Sequence, residues 1–229
     1  MKIKITSGHT TTVNSQSLVV VIDVLRAFTL TSFLAEQCHN SIYLCRTAAE
    51  AFELKQQLCH PVLLGEIKGL PIAGFDYGNS PAELCDRPVA SNATPILRTS
   101  NGVEAVLNVL AAGEVLVASF RDADAVINYI KQHCQHKFTE CVLVASDRNG
   151  SDEDLACAEY MQAVLSGKNT DIDSFINRVK HSANAKRFLD KAQIAFPGKD
   201  LELACTINHD AKPMVVRKEN GHIMLENAL

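Results

Sequence analysis

The amino-acid sequence predicts an α/β protein of three α/β/α layers around a mainly parallel or mixed central sheet. Three observations predict it. The chain has 229 residues, 47% of them hydrophobic and 21% charged, an ordinary globular composition long enough to bury one large core. Short β-branched runs alternate with longer amphipathic stretches, the rhythm of β-α-β units joined by right-handed crossovers. Residues 18–24 (LVVVIDV) are apolar at nearly every position instead of at alternate ones, as in a strand covered on both faces. No linker or internal repeat divides the chain, so one domain over residues 1–229 is the expectation.

The elements follow in order. After the 18–24 strand, residues 27–37 have helical spacing; 41–44 is a strand, 48–58 a helix and 62–65 a strand. The rhythm then breaks. Residues 65–87 (GEIKGLPIAGFDYGNSPAELCDR) are rich in glycine and proline, and long irregular segments inside compact domains are more often functional than idle. Residues 95–98 resume the sheet, followed by a helix at 103–112, a strand at 115–118, a helix at 123–133 and a strand at 141–145. Helix dominates 152–191, and 214–216 with 222–225 form a terminal hairpin around Glu219-Asn220-Gly221.

Composition also excludes function classes. Twenty-two Lys and Arg against 26 Asp and Glu give a net charge of -4 with no basic stripe, which argues against nucleic acid as a partner. A small anionic substrate stays compatible, because a few Arg residues or a bound cation outweigh a mild global charge. The eight cysteines contain no CxxC and several lie in apolar runs, against zinc and in favour of reduced thiols. MKIKIT lacks the apolar core of a signal peptide, and no window approaches the ~18 apolar residues of a membrane span. A cytoplasmic protein away from membranes is expected, with a homodimer as the default assembly.

In open α/β sheets ligands gather where strands end, so the residues there carry most weight. Asp23, Arg26 and Thr29 follow the LVVVIDV strand; a buried carboxylate there needs a cation, either a metal ion or Arg26 itself. Glu66 and Asp76 share the Gly-rich segment and are candidate Mg²⁺ ligands, since Mg²⁺ takes one or two carboxylates and keeps several waters. Asn79 and Ser80 fit turn or cap roles equally well, and Ser80-Pro81-Ala82-Glu83 has the pattern of a capping box. Thr99-Ser100-Asn101-Gly102 opens a helix and presents donors to an anion, although an ordinary cap explains it too. Asp147, Arg148, Asp152, Glu153 and Asp154 precede another helix, whose dipole alone accounts for most of them; Asp154, then Glu153, is the candidate for facing the site. Asp122-Ala123-Asp124-Ala125-Val126 matches the D-x-D-x-[TV] pattern of haloacid-dehalogenase-type phosphatases. It begins too far past its strand, so Asp122 reads as an N-cap. No P-loop and no GxGxxG occurs.

Taken together, VVVIDVLRAFT, LLGEIKGLPIAGFDYGNSPAEL, the TSNG turn, ASFRDADAV and the stretch from Ser151 to Ala158 resemble the 2-phosphosulfolactate phosphatase family in order and spacing. The terminal DLELACTINHDAKPMVVRKENGHI is similar as well. The resemblance implies a Mg²⁺-dependent phosphatase on a three-layer α/β/α fold, which converts 2-phosphosulfolactate to 3-sulfolactate and phosphate on the way to coenzyme M. It points to Asp23, Arg26 and Thr29; to Glu66, Asp76, Gly78, Asn79 and Ser80; to Thr99, Asn101 and Gly102; and to Glu153 and Asp154. The sequence departs from the family pattern at Phe28, Ser100, Val103 and Glu159.

The mechanism expected from these residues is Mg²⁺-assisted phosphomonoester hydrolysis. Asp23 with Glu66 or Asp76 holds the ion, Arg26 grips phosphate or carboxylate, the TSNG turn binds a second anionic group and Asp154 orients the attacking water. Another small phosphorylated hydroxy acid as substrate, or a non-catalytic anion sensor on the same fold, are the alternatives.

Overall fold

A computed structural model describes residues 1–8, 12–147 and 151–228. The N-terminal half comprises β1 (Lys2–Ser7), β2 (Ser17–Ile22), α1 (Ala27–Gln37), β3 (Ile42–Leu44), α2 (Ala48–Lys55), β4 (Pro61–Ile67), β5 (Leu70–Pro71), α3 (Pro81–Asp86) and β6 (Thr94–Arg98). It continues with α4 (Gly102–Asn108), β7 (Glu114–Ala118), α5 (Ala123–Tyr129) running on into a π-helical turn (Ile130–Cys134), and β8 (Glu140–Ala145). The C-terminal part holds α6 (Asp152–Leu165), α7 (Ile172–His181), α8 (Ala185–Leu189), α9 (Gly198–Ala204), β9 (Met214–Glu219) and β10 (His222–Asn227).

The strands form one sheet in the order β1-β8-β2-β7-β9-β10-β3-β6-β4-β5. β1, β8, β2 and β7 are mutually parallel, as are β3, β6 and β4. The β9–β10 hairpin splices these two sets, antiparallel to β7 on one side and to β3 on the other. Met214, Val215, Ile223, Met224 and Leu225 of the hairpin are apolar and buried, while Arg217, Lys218 and Glu219 towards its turn are exposed.

Three successive antiparallel steps make β6 and β4 run opposite to β2 in pairing sense, which on a flat sheet would place their carboxyl ends on opposite edges. Sheets twist and coil, so β6, five steps from β2, is not bound to the geometry of a flat sheet. The ends meet: an ideal Cβ on Gly102, just past β6, would lie 2.8 Å from Asp23 Oδ2, just past β2.

The layering explains why β2 is buried at every position. Val19 and Val21 pack with Phe28, Leu30, Val103 and Val106 of α1 and α4, and Leu64 and Leu97 of the second strand set join the same cluster. Leu18, Val20 and Ile22 pack instead with Val126, Ile130 and Met161 from α5, its π-turn and α6. α2 covers the far side of β4 and β6 through Ala51, Leu54, Leu63 and Ile96. Each fully buried Val or Leu contributes about 1.5–3 kcal/mol, so this double coverage is a main source of stability.

Several elements differ from the sequence reading. β1 was not anticipated, because Lys-Ile-Lys-Ile alternates and lacks the apolar density of the inner strands; it lies at the sheet edge, parallel to β8. The helical stretch 152–191 is three helices, and α9 is an additional one.

Candidate active site

The floor of the site is built where β2 passes into α1. Asp23 is 5% exposed, and its Oδ1 accepts the Ala27 N–H at 2.9 Å while Oδ2 accepts the Ser146 hydroxyl at 3.3 Å. Burial pushes its carboxyl up to about 7, with the nearby charges of Glu66 and Glu153 adding to the shift against the opposing bonds from Ala27 and Ser146. Thr29 is fully buried and donates its hydroxyl to the Val24 carbonyl at 2.8 Å, which fixes the chain just beyond Asp23. Asp154, on the first turn of α6, stands behind it: Oδ1 accepts the Val24 N–H at 2.8 Å, and Oδ2 accepts Ser146 Oγ at 3.2 Å and the Asp147 N–H at 3.3 Å. Its carboxyl is raised well above the ordinary range, by burial first and then by Asp23 and Glu153. Of the acidic run at this helix start, Asp152 pairs outward with Arg178, whereas Glu153 and Asp154 are buried. Arg148 lies outside the described residues.

A second wall comes from the ends of β4 and β6. Glu66 Oε1 accepts the Ser100 N–H at 2.5 Å, and Oε2 accepts the Ser100 hydroxyl at 3.1 Å and the Gly69 N–H. Arg98 donates to the Glu66 carbonyl and to Ser100 Oγ, so the carboxylate is held by both strand ends. The TSNG turn is therefore partly internal machinery. Thr99 Oγ1 accepts the Val103 N–H at 3.1 Å as a cap, Ser100 serves Glu66, Asn101 faces the cleft and Gly102 lies against Asp23. A Cβ at Gly102 would come within 2.8 Å of Asp23 Oδ2 and 2.9 Å of Ala27 Cβ, which explains the glycine.

Arg26 does not pair with Asp23. Its Nη1 donates to Asp200 Oδ2 at 2.8 Å and to the Ala195 carbonyl at 2.9 Å, and Nη2 donates to the Gly69 carbonyl at 3.1 Å. Both charged groups of the Arg26–Asp200 pair are buried, and the guanidinium lies 4.9 Å from the Phe196 ring centroid and 5.5 Å from that of Phe188. Asp200 also accepts the Ser80 hydroxyl at 2.7 Å and the Ala82 N–H at 2.9 Å. One fully buried carboxylate thus ties α9, the start of α3 and the residue that precedes α1. Ser80 is the N-cap of α3, and Glu83 completes a variant of the predicted box by accepting from Gly78 N–H instead of from Ser80.

Between these walls lies a cleft of about 320 Å³. Of the residues singled out in the sequence, Asp23, Arg26, Glu66, Asn79, Ser100 and Asn101 line it, and Gly102 backs Asp23. Thr29, Ser80, Thr99 and Asp154 are held in the supporting structure by the bonds just given. Asp76 belongs elsewhere. Its carboxylate turns back to accept the Leu63 N–H at 2.8 Å, pairs with Lys55 at 3.3 Å and is 41% exposed, so the predicted set Asp23, Glu66 and Asp76 is not assembled. Leu25, Lys68, Gly69, Asp147, Asn184, Arg187, Phe188 and Phe196 complete the lining and were not predicted to do so.

The cleft offers hard oxygen donors. Asn79 Oδ1 is buried without a hydrogen-bond partner among the described residues and lines the cleft together with Asp23 and Glu66. Glu153 Oε2 is likewise unpartnered among them and its charge is felt by Asp23, but Glu153 is not part of the lining. No three His, Cys, Asp or Glu side chains converge as a metal-binding group among the described residues. Two carboxylates, an amide oxygen and retained waters nevertheless fit Mg²⁺, which binds in that way.

Other candidates are settled by their surroundings. Asp122 occupies the N-cap position of α5, but its carboxylate turns back to accept from Ser119 N–H at 2.7 Å and is 1% exposed. Among the cysteines, none of which the sequence singled out as a site residue, burial pushes the Cys45 and Cys141 thiols up to about 12, which makes them poor nucleophiles. Among the described residues no helix is long and apolar enough to cross a membrane.

The fold and site define an α/β enzyme whose cleft sets buried carboxylates opposite cationic side chains where the two strand sets meet. The sequence model described as 2-phosphosulpholactate phosphatase matches residues 4–220. A probable 2-phosphosulfolactate phosphatase of Bacillus subtilis (strain 168) is 34% identical over 226 residues, covering 97% of this chain and 96% of the relative. Similarly named proteins of Clostridium perfringens (strain SM101 / Type A) and Clostridium acetobutylicum are 34% and 27% identical, over 68% and 90% of this chain and 63% and 91% of their own. The chain belongs to the 2-phosphosulpholactate phosphatase family and is a phosphoric monoester hydrolase.

Proposed function

We propose that this phosphatase hydrolyses 2-phosphosulfolactate to 3-sulfolactate and inorganic phosphate, with Mg²⁺ as its cofactor. The observation that carries the reading is the meeting of Asp23 and Glu66, from the two opposed strand sets, in one polar cleft beside the unpartnered Asn79 Oδ1. The substrate is taken from the names of the relatives.

Asp23 and Glu66 would hold the ion with Asn79, and the bound ion would offset charge on the phosphoryl oxygens. The remaining steps fall to the chain itself. Ala27 N–H and Ser146 fix the Asp23 carboxylate, and Ser100 with Gly69 fixes that of Glu66. Arg26 retains two of its five donors for the substrate after its three protein bonds. In the net reaction water oxygen bonds to phosphorus, the phosphorus–ester bond breaks, and the proton released by water ends on the sulfolactate hydroxyl.

Phosphate release from a panel of phosphomonoesters, with Mg²⁺ and with EDTA, tests both parts. Fastest turnover of 2-phosphosulfolactate, abolished by EDTA and restored by Mg²⁺, is expected. Equal or faster turnover of an ester lacking the sulfonate would favour another phosphorylated hydroxy acid, and activity that survives EDTA would remove the metal.

A further inference from the structure

The cleft carries three cations that differ in what already balances them. Arg26 is neutralised by Asp200 at 2.8 Å with both groups buried. Lys68 and Arg187 form no ion pair among the described residues, yet both line the cleft. We infer that Lys68 and Arg187 form a second anion subsite, which takes a non-reacting oxyanion of the substrate, carboxylate or sulfonate, while the Asp23–Glu66 end takes the phosphate. The inference rests on the reading above and deepens it.

Arg187 sits with its guanidinium carbon 3.9 Å from the Phe196 ring centroid. Stacking of that kind fixes the plane of the group while leaving its N–H donors for an oxyanion. Lys68 and Gly69 are the two residues of the β4–β5 turn, between the paired Ile67 and Leu70. Their φ values of 54° and 85° are those of a type I′ turn, where Asn-Gly is the favoured pair. A lysine held at positive φ stores strain, and such strain concentrates at ligand sites. Gly69 also brings the two cations to one place. A Cβ on it would lie 2.5 Å from Phe196 Cζ and 3.5 Å from Arg187 Nη2, so only glycine lets the Lys68 turn pack under the stacked arginine.

2-Phosphosulfolactate carries a carboxylate and a sulfonate besides its phosphate, and the product 3-sulfolactate keeps both. Calorimetric binding of 3-sulfolactate therefore reads the subsite without turnover, with lactate and 2-hydroxyethanesulfonate separating the carboxylate from the sulfonate. Arg187→Gln and Lys68→Gln are each expected to weaken 3-sulfolactate about tenfold, the usual worth of a charge-assisted bond. Arg187→Lys should recover part of the loss, and Lys186→Gln, on the same helix but outside the cleft, should cause none. Loss confined to the compound bearing one oxyanion identifies the group recognised. No binding by the wild-type protein, or binding kept within twofold in both glutamine variants with unchanged thermal stability, overturns the subsite. Weakened binding in the variants of a protein that does not hydrolyse 2-phosphosulfolactate would uphold the subsite and reject the proposed substrate.

Discussion

Asp23 and Asp154 meet at a single hydroxyl: Ser146 Oγ lies 3.3 Å from Asp23 Oδ2 and 3.2 Å from Asp154 Oδ2. A hydroxyl has one proton to donate, and two buried carboxylates converge on it. Burial raises Asp23 to about 7 and Asp154 well above its ordinary range, so near neutral pH the pair retains a proton that solvent-exposed carboxylates would have released.

The Ser146 hydroxyl favours the ionised form of Asp23, and its loss should raise that carboxyl further. If ionised Asp23 is required for turnover, Ser146→Ala should move the acidic limb of the kcat/KM profile up by about one pH unit, since a hydrogen bond to a charged group is worth about 1.5–3 kcal/mol. A limb that stays put or moves down would separate Asp23 from the rate-controlling ionisation.

Asp23 also bears on stability. Its carboxyl titrates near 3.8 when unperturbed and about 7 here, so between these pH values the folded protein holds a proton that the unfolded chain has released. Its contribution to stability is present below about pH 4 and is lost as pH rises towards 7. Asp23→Asn keeps an oxygen for the Ala27 N–H and removes the repulsion from Glu66 and Glu153. The variant should lose at least about a hundredfold in activity yet melt a few degrees higher at pH 8 in metal-free buffer, at roughly 2–4 °C per kcal/mol for a chain of this size. A lower melting temperature than wild type under those conditions would contradict the burial argument.

Gly102 joins the two halves of the sheet at the site. A methyl group placed 2.8 Å from Asp23 Oδ2 and 2.9 Å from Ala27 Cβ has no flexible neighbour to displace, because the contacts are a hydrogen-bonded carboxylate and a helix residue. Gly102→Ala should cost about 1–3 kcal/mol in urea unfolding and lower kcat by moving Asp23. An active variant with unchanged unfolding midpoint would mean that β6 and β2 approach less closely than described.

The parts of the site that were legible in the sequence are those fixed by local pattern. The apolar run of β2 places Asp23 at a strand end, the break in rhythm after β4 marks Glu66 and Asn79, and the TSNG turn marks Ser100, Asn101 and Gly102. Asp200 was not legible. It meets Arg26 across 174 positions of sequence, and an aspartate in a first helical turn looks like ordinary dipole chemistry. Arg187, Phe188 and Phe196 were missed for the same reason, since only the tertiary fold carries α8 and the segment before α9 to the end of β2. The sheet order was hidden too, because a terminal hairpin carries no sign that it inserts at the centre.

Glu66 and Asp76 look alike in sequence, two carboxylates ten residues apart in one Gly-rich segment, and the structure separates them. Glu66 follows the buried core of β4 and is 6% exposed, its oxygens held by donors from Ser100 and Gly69 at the cleft wall. Asp76 folds back along β4 to the Leu63 N–H and to Lys55, where solvent screens the pair and limits it to less than about 1 kcal/mol. If Glu66 holds Mg²⁺, Glu66→Gln should raise the Mg²⁺ concentration for half-maximal activity at least about tenfold. Asp76→Asn should leave that concentration within about twofold, with any loss appearing in stability alone. Mg²⁺ titrations of phosphate release by the two variants decide it: an equal shift in both would restore Asp76 to the metal site, and no shift in either would remove Glu66 from it.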